Sequence, residues 1–505
     1  MNDHDLSING APLETSEGSH FGKPQGSLTH LNLIDERPVL VRALLGGDLS
    51  FERGLLAPQQ RLLNLSLAGF GLALLSFPIV AIYAISGVLL ALFATLIAWR
   101  AMFLFVGLCI RVTRQHSPCS GAAEADLPVY SILVPLYQEA AVIPQLAAAL
   151  SRLDWPEHRL DVQLLLEADD AETIAAAHAV PLPMDTRITL IPSGGPRTKP
   201  NALNIGLTHA RGRYLTVYDA EDLPHPEQLR AAHQAFQTAP DDLVCLQAPL
   251  IGDPTEGSWL SSQWALEYAV QFGLLLPSQA LYRMPLLIGG TSNHFKTTAL
   301  LALGGWDPWN VTEDADLGMR IARAGLSCGT ISTPTYEDAP TRWRIWYKQR
   351  SRWIKGFAQT WLVLMRRPRK TLHQMGIIPF MIMQVTLGGA ILAPLFHAPC
   401  FLLVITVGIA PGFELGTAGS TLLVSALTVG AIGDLCAPGR MTGDRLFAIV
   451  TRPFYWPLHS LAAYRAIWEL ATMPFFWAKT PHTPRTLDEA TSCSTGSSPP
   501  ASPPF

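Results

Sequence analysis

Charge is scarce in this sequence. Asp, Glu, Lys and Arg make up 15% of its 505 residues, well under the roughly 25% usual for soluble domains. Hydrophobic residues make up 49%, and mean hydropathy is +0.23. That balance argues against a fully solvated chain and points to a membrane protein with a soluble part. An excess of basic residues is also missing. A net charge of −4 gives no bulk electropositive surface for nucleic acid. Cysteine is sparse: Cys109, Cys119, Cys245, Cys328, Cys400, Cys436 and Cys493 form no CxxC pair. Neither a zinc site nor a disulfide framework is therefore expected. No secretory leader is read, because the first apolar run begins far from Met1 after a polar start.

What is present falls into blocks. Residues 1–60 are polar, then amphipathic, and receive no chemistry. Within 61–112 lie two apolar runs, Leu62–Ala84 and Gly87–Ile110, each long enough to span a bilayer, which takes about 20 residues. Arg53 and Arg61 precede them, and Arg111 and Arg114 follow. Positive flanks stay cytoplasmic, so the pair reads as a hairpin with both ends inside. From 126 to 340, apolar β-branched runs (VYSILVPLY, DVQLLLEA, RITLIP, RYLTVYDA, LVCLQAPL) alternate with helical patterns (AVIPQLAAALSRL, AETIAAAHA, NALNIGLTHA, PEQLRAAHQAF). This alternation predicts βαβ units and a Rossmann-like parallel sheet, with ligands at the carboxyl ends of the strands. Residues 341–372 read as an interfacial helix. Apolar runs return over 373–470, at Gly376–Leu395, Phe401–Ala410, Thr417–Leu435 and Phe447–Ile467. A four-span count there would put Arg440 and Arg445 outside, against the positive-inside rule. Either two runs merge or the last is interfacial, and the working total is six spans. Residues 471–505 form a tail, low in complexity from Thr491.

Acidic residues gather at strand ends. Asp219, Glu221 and Asp222 follow the strand in RYLTVYDAED. Such hard oxygen donors suit Mg²⁺ or Mn²⁺ shared with substrate phosphates, or they cap the next helix. Glu167, Asp169 and Asp170 end another strand. There a carboxylate can accept from a base or ribose, or favour a helix N-terminus. Thr312, Glu313, Asp314 and Asp316 precede a helical repeat. One carboxylate there is a candidate general base, and capping with first-turn acids is the structural alternative. Lys199 lies near a helix start, where it can meet phosphate or solvent. The stretch YKQRSRWIKG concentrates Lys348, Arg350, Arg352 and Lys355. Gln349, Arg352, Trp353 and Gly356 recur at i, i+3, i+4 and i+7 and so share a face. Arginine can grip phosphate through its fork while Trp stacks. The competing reading is a membrane-interface helix with snorkelling cations.

In this order the motifs EADD, DAED, TED (Thr312–Asp314) and QRSRW (Gln349–Trp353) resemble those of the membrane-embedded family 2 glycosyltransferases. That group includes the bacterial cellulose, hyaluronan and chitin synthases. LIGGTSNHF and LGGWDPWNVTED are similar to its acceptor-side segments. The resemblance runs from about Val129 to Gly356 and on into the membrane regions. It implies a GT-A-like α/β catalytic domain facing the cytoplasm, joined to transmembrane helices of the inner membrane. The implied reaction is transfer from a nucleotide-sugar, a UDP-sugar by expectation, to a growing polysaccharide or a glycolipid acceptor. Residue by residue, it implies Asp169 or Asp170 at the nucleoside and Asp219 with Glu221 or Asp222 at the diphosphate and its Mg or Mn ion. Asp314 would be the base beside Glu313. Gln349 and Arg352 would hold the pyrophosphate, with Trp353 at the acceptor end and Lys355 adding positive field. The EADD motif lacks the usual following Gly-Ser, and DAED replaces DxD. Both are similar to a bacterial exopolysaccharide branch. FFWAKTPHTPR resembles a Trp-x-Lys-Thr-x-His element of that branch, with Lys479 and His482 over the nucleotide and Thr483 where glycine is common. Any export partner is unassigned.

Overall fold

This computed structural model describes residues 45–113 and 126–476, apart from 184, 193–195, 254–256 and 411–413. Two helices come first, α1 (Ala57–Ser76) and α2 (Pro78–Thr113). Proline at a first helical position loses no hydrogen bond, so the break falls at Phe77–Pro78. This corrects the division between Ala84 and Gly87 expected from composition. The outer end of α1 meets the helix that follows the α/β domain, and that of α2 meets the domain itself. Gln59 Nε2 donates to the Leu362 carbonyl at 2.8 Å. At the other end Gly107 lies so near Leu274 that a Cβ would meet its carbonyl oxygen at 2.5 Å.

The α/β domain has ten strands among the described residues: β1 (Tyr130–Leu136), β2 (Leu160–Glu167), β3 (Arg187–Ile191), β4 (Tyr214–Val217), β5 (Leu223–Pro224), β6 (Leu243–Gln247), β7 (Leu250–Asp253), β8 (Asn293–Lys296), β9 (Ser327–Thr330) and β10 (Thr335–Asp338). The main sheet has the order β3-β2-β1-β4-β8-β6-β9, and a small one has β5-β10-β7. This is a GT-A-like arrangement. The main sheet is mixed rather than parallel, because β8 runs antiparallel to both neighbours. β8 reads Asn-His-Phe-Lys and shows no apolar alternation. Its His294 is buried by being satisfied, between Tyr130 Oη (2.7 Å) and Gln228 Oε1 (3.2 Å).

Helices flank the sheet: α3 (Ile143–Leu150), α4 (Ala171–Ala179), α5 (Lys199–His209), α6 (Gln228–Thr238), α7 (Trp259–Val270), α8 (Leu276–Leu281), α9 (Thr297–Ala302) and α10 (Glu313–Arg323). A π turn at Gln271–Leu275 joins α7 to α8. Both sheet faces are covered, so β1 reads as a continuous apolar run. Ile132 and Val134 enter one core with Leu164, and Leu133 enters the other with Leu165 and Leu215.

Beyond lie α11 (Trp343–Leu364), α12 (Pro368–Met375), α13 (Ile377–Met383), α14 (Gly389–Ile409), α15 (Gly416–Cys436) and α16 (Gly443–Thr472). A π turn fuses α13 to α14, and α14 itself runs unbroken across 396–400, merging the runs Gly376–Leu395 and Phe401–Ala410 into one rod. Pro394 and Pro399 lie inside α14. The α16 hydroxyl of Ser460 spans the gap, accepting from Ala398 N at 2.8 Å and donating to the Pro394 carbonyl. Among the described residues, three helices are long and apolar enough to cross a membrane: Pro78–Arg111, Ile377–Ile409 and Gly416–Cys436. Six spans were expected. The difference comes from the merger, from the run redivided at Pro78, and from α16, whose Arg452, His459 and Glu469 are buried against neighbouring helices.

Asp161 ties the amino-terminal edge of the sheet together. Fully buried, it accepts from Ser131 Oγ (2.7 Å), Arg187 (2.6 Å) and the Arg211 amide (2.9 Å). Burial alone would raise its carboxyl, but the Arg211 amide and Ser131 hydrogen bonds with Arg187 outweigh that and hold it below the ordinary value. Asp161→Asn should cost about 2–3 kcal/mol at neutral pH, read as a lower melting temperature in detergent. A depressed native pKa stabilises above the unfolded value and loses that contribution as pH falls through the native one. The gap between variant and parent should therefore close below about pH 4.

Candidate active site

The strand ends place the chemistry. Leu136 pairs with Leu166, and Leu133 with Val217, so the carboxyl ends of β1, β2 and β4 open on one side. A cavity of ≈ 870 Å³ lies there, lined by Glu167, Arg197, Lys199, Asp219, Glu221, Glu313, Asp314, Glu337, Gln349, Arg352 and Trp353 among others. That volume suits a nucleotide-sized ligand with room beyond it. Segments far apart in sequence, from β2, α5, α10, β10 and α11 and the loop after β4, meet around it.

Several expected residues line this cavity. Lys199 begins α5, and its ammonium is ion-paired with Asp219 and donates to the Gly290 carbonyl at 2.8 Å. It is no surface lysine. Asp314 lies in the first turn of α10 and accepts from the Ala315 amide at 2.7 Å. Thr312 occupies the cap position, but no side-chain capping bond forms. Its hydroxyl packs instead under α11, where Gly356 would place a Cβ only 2.1 Å from Thr312 Oγ1. Glycine at the i+7 position of the QxxRW face is thus what lets the Thr-Glu-Asp turn approach α11.

Other expectations change. Asp222 was a candidate metal ligand, but it is buried with its carboxylate turned into the protein. It accepts from the Asp219 amide at 2.7 Å and from Thr291 Oγ1, and so shapes the turn while Glu221 faces the cavity. Asp170 was a candidate nucleoside ligand. It is instead the cap of α4, accepting from the Thr173 and Gln138 amides. Asp169 is half exposed and pairs with Arg197 at 2.6 Å. The lining residue from that motif is Glu167. Lys355 does not line the cleft. It is 1% exposed, bonded to Glu469 at 3.0 Å and to the Phe476 carbonyl at 2.6 Å. Gln349 accepts from Trp264 Nε1 at 3.0 Å, so what it offers the cavity is its amide N–H. Trp353 lies beside Tyr268, with the Arg350 guanidinium 4.5 Å from its ring centre. Lys479, His482 and Thr483 lie outside the described residues.

Arg197, Tyr268 and Glu337 were not assigned from sequence, and Glu167 was named only beside Asp169 and Asp170 as a strand-end carboxylate. Glu337 is the penultimate residue of the short β10, where only its place near a strand end could have flagged it.

The electrostatics are lopsided. Asp219, Glu221, Asp222, Glu313, Asp314 and Glu337 crowd one region against Lys199 and Arg352. Burial, then Asp314, pushes Glu313 up to about 7. Burial also raises Asp314, and burial with the neighbouring acids lifts Asp222 and Glu337 well above the carboxylate range. Burial pulls the Lys199 ammonium down, yet Asp219 and Glu313 outweigh it and the net shift is upward. No three His, Cys, Asp or Glu side chains among the described residues converge as a ready-made metal cage. Asp219 and Glu221 still fit a divalent ion, because Mg²⁺ takes one or two carboxylates plus substrate phosphates, and the negative excess would favour it.

The sequence is similar to known proteins. Residues 131–295 match the family model described as Glycosyl transferase family 2, and 214–415 match Glycosyl transferase family group 2. The stretch from 131 to 415 thus carries family 2 glycosyltransferase domain sequence. A probable glycosyltransferase, YdaM, of Bacillus subtilis is 25% identical over 46% of this chain and 56% of its own. A beta-monoglucosyldiacylglycerol synthase of Synechocystis sp. is 23% identical over 57% of this chain and 62% of its own. Cellulose synthase 2 of Novacetimonas hansenii is 25% identical over 47% and 15%. The chain spans about half the length of the first curated relatives it matches. Among solved structures, a mannosyltransferase of Pyrobaculum calidifontis, in complex with GDP-Man and Mn²⁺, is 20% identical with a TM-score of 0.45, over 75% of this chain and 99% of its own.

Gly356→Ala would force the Thr312 turn away from α11. Glycosyl transfer is expected to fall about 100-fold, the cost of roughly an ångström's misplacement. Binding of the nucleoside diphosphate should stay near that of the parent, and comparing initial rates with titrations of UDP or GDP checks both.

Proposed function

We propose that the protein is a metal-dependent, inverting glycosyltransferase of the cytoplasmic membrane, with its catalytic domain in the cytoplasm. The donor is a nucleotide-sugar, by expectation a UDP-sugar. The observation that carries this reading is that one cavity gathers Asp219, Glu221, Asp314 and Arg352 from motifs spread over more than a hundred residues. The family match and the three apolar helices support it.

The acceptor hydroxyl oxygen attacks the anomeric carbon while its proton passes to Asp314. The bond from that carbon to the diphosphate oxygen breaks, its electron pair stays on the diphosphate, and the configuration inverts. Arg352, with the amide of Gln349, binds the pyrophosphate and offsets the charge growing there. A Mg²⁺ or Mn²⁺ ion held by Asp219, Glu221 and the donor's phosphates would supply further positive charge to the leaving group. Lys199 fixes Asp219 and the Gly290 carbonyl. Glu167 and Arg197 line the nucleoside end, where Asp169 orients Arg197.

QxxRW favours a growing polysaccharide as acceptor. Transfer of one sugar to a lipid is the second reading, favoured by the extension of the cavity to Ala390 and Gly430 of the apolar helices α14 and α15 and to Trp456 of α16 beside them. Product length separates the two. A non-catalytic nucleotide-binding subunit would bind UDP without turnover.

The purified protein should release nucleoside diphosphate from one of a panel of UDP- and GDP-sugars with Mn²⁺ or Mg²⁺. Release should cease with chelator. Asp314→Asn should lower it by about 10²–10⁴ and leave UDP binding intact. Binding without release from any donor would favour the subunit reading.

A base works only when ionised, and burial raises Asp314. The acid limb of the rate profile should therefore sit above the ordinary aspartate value, with rate falling as pH drops through it. Glu313 is itself pushed up to about 7 and is largely protonated over that limb, so Glu313→Gln should leave the limb near its place in the parent. A limb moved clearly to lower pH by Glu313→Gln would count against burial as what raises Asp314.

A further inference from the structure

The cavity does not stop at the donor residues. Its far end is walled by Arg100 of α2, Glu267 of α7, Arg350 of α11, Asp434 of α15 and Arg452 of α16. Two of the three arginines are committed to carboxylates there. Arg452 pairs with Asp434 at 2.9 Å and also donates to Gln263. Arg350 pairs with Glu267 at 2.6 Å, and Tyr455 and His459 also hold Glu267, at 2.9 and 3.2 Å. Arg100 differs in its pairing. Its Nε, like that of Arg350, is sealed from solvent with no hydrogen-bond partner, but no ion pair within 4 Å involves Arg100 among the described residues. It lies inside the apolar helix Pro78–Arg111, where Arg111 at the end is the only other charge. A charge placed inside such a span faces a polar cavity and marks a ligand path. The three cations and two carboxylates leave an excess of one positive charge, centred on the arginine without a carboxylate.

We propose that Arg100 forms an anion subsite for the acceptor, which grips the phosphate of a membrane-borne, hydroxyl-bearing lipid or lipid-linked glycan while its hydroxyl reaches toward Asp314. The proposal rests on the transferase reading and deepens it by naming the acceptor class. A guanidinium presents a planar fork of donors that matches phosphate oxygens. The walls around it come from α2, α14, α15 and α16, through Arg100, Ala390, Asp434 and Trp456. A headgroup can arrive there from the bilayer, whereas a soluble phosphate has no acyl chain to hold it among those helices.

The test is binding to the purified full chain in a neutral detergent, which needs no turnover. The probes are dihexanoyl-phosphatidylglycerol, dihexanoylglycerol and glycerol 3-phosphate, with UDP binding as the fold control. The parent should bind the phosphatidylglycerol best. Arg100→Gln should weaken that binding by at least about tenfold, while dihexanoylglycerol and UDP binding stay unchanged. Arg100→Lys keeps the charge without the fork and should lose only part, and it serves as the probe if the glutamine variant fails to fold. Equal affinity in parent and variants would overturn the proposal, and so would a parallel loss of UDP binding in both variants. Glycerol 3-phosphate bound as tightly as the lipid would overturn the membrane-borne source. Failure of the transferase reading looks different: no donor turnover by the parent, whatever the lipid binding.

Discussion

Too many carboxylates share too little counter-charge at the carboxyl ends of the strands, and much of the molecule is arranged around that fact. Left alone, buried acids this close would take up protons, as the raised Glu313, Asp314 and Glu337 indicate. Lys199 is drawn in from the start of α5 to meet Asp219. Asp222 turns inward to hold the backbone that carries Asp219. Arg352 comes from another segment altogether. What this set lacks is positive charge, which a divalent ion bound with its nucleotide would bring. The site is built to be completed by its substrate.

The four cations of YKQRSRWIKG divide the work in a way that spacing alone does not reveal. Arg352 faces the cleft. Arg350, two positions away, turns about the helix to Glu267, whose carboxyl burial would raise but Arg350 and His459 hold low. Lys355 is buried against Glu469, binding α11 to the end of α16, and Lys348 is exposed. Helical periodicity groups Gln349, Arg352, Trp353 and Gly356 on one face, and all four contribute to or support the site. It cannot say that Gly356 is there for Thr312, because that contact joins residues 44 positions apart.

What was legible follows from how local its cause is. β1, β2, β3, β4 and β6 and their helices could be read because both faces of the sheet are covered, which makes strands into continuous apolar runs. β8 could not, since Asn-His-Phe-Lys, with one apolar residue in four, becomes a strand only through the edges of β4 and β6. The acidic motifs were visible, but the choice within each was not. Asp169, Asp170, Glu221 and Asp222 are interchangeable in a string. Only backbone amides and the Thr291 hydroxyl decide which carboxylates are consumed as caps and which remain for a ligand. The membrane helices were misdivided for a similar reason. Pro394 and Pro399 look like an end to a helix, and a serine on α16 repairs the gap.

The buried charges beyond the donor site pose a question of cost. Replacing a buried ion pair by well-packed apolar residues is often neutral or stabilising, and Asp434–Arg452 and Glu267–Arg350 lie where apolar helices meet. Stability therefore does not account for them. A polar wall does something an apolar one cannot: it offers hydrogen-bonding partners to a hydroxyl-rich chain or a headgroup, as the proposed route of an acceptor to Asp314 requires. Arg452 and Arg350 keep their carboxylates in place, so that neither Glu267 nor Asp434 opposes an arriving anion with a bare negative charge. The pairs thus prepare the ground on which the third arginine can act.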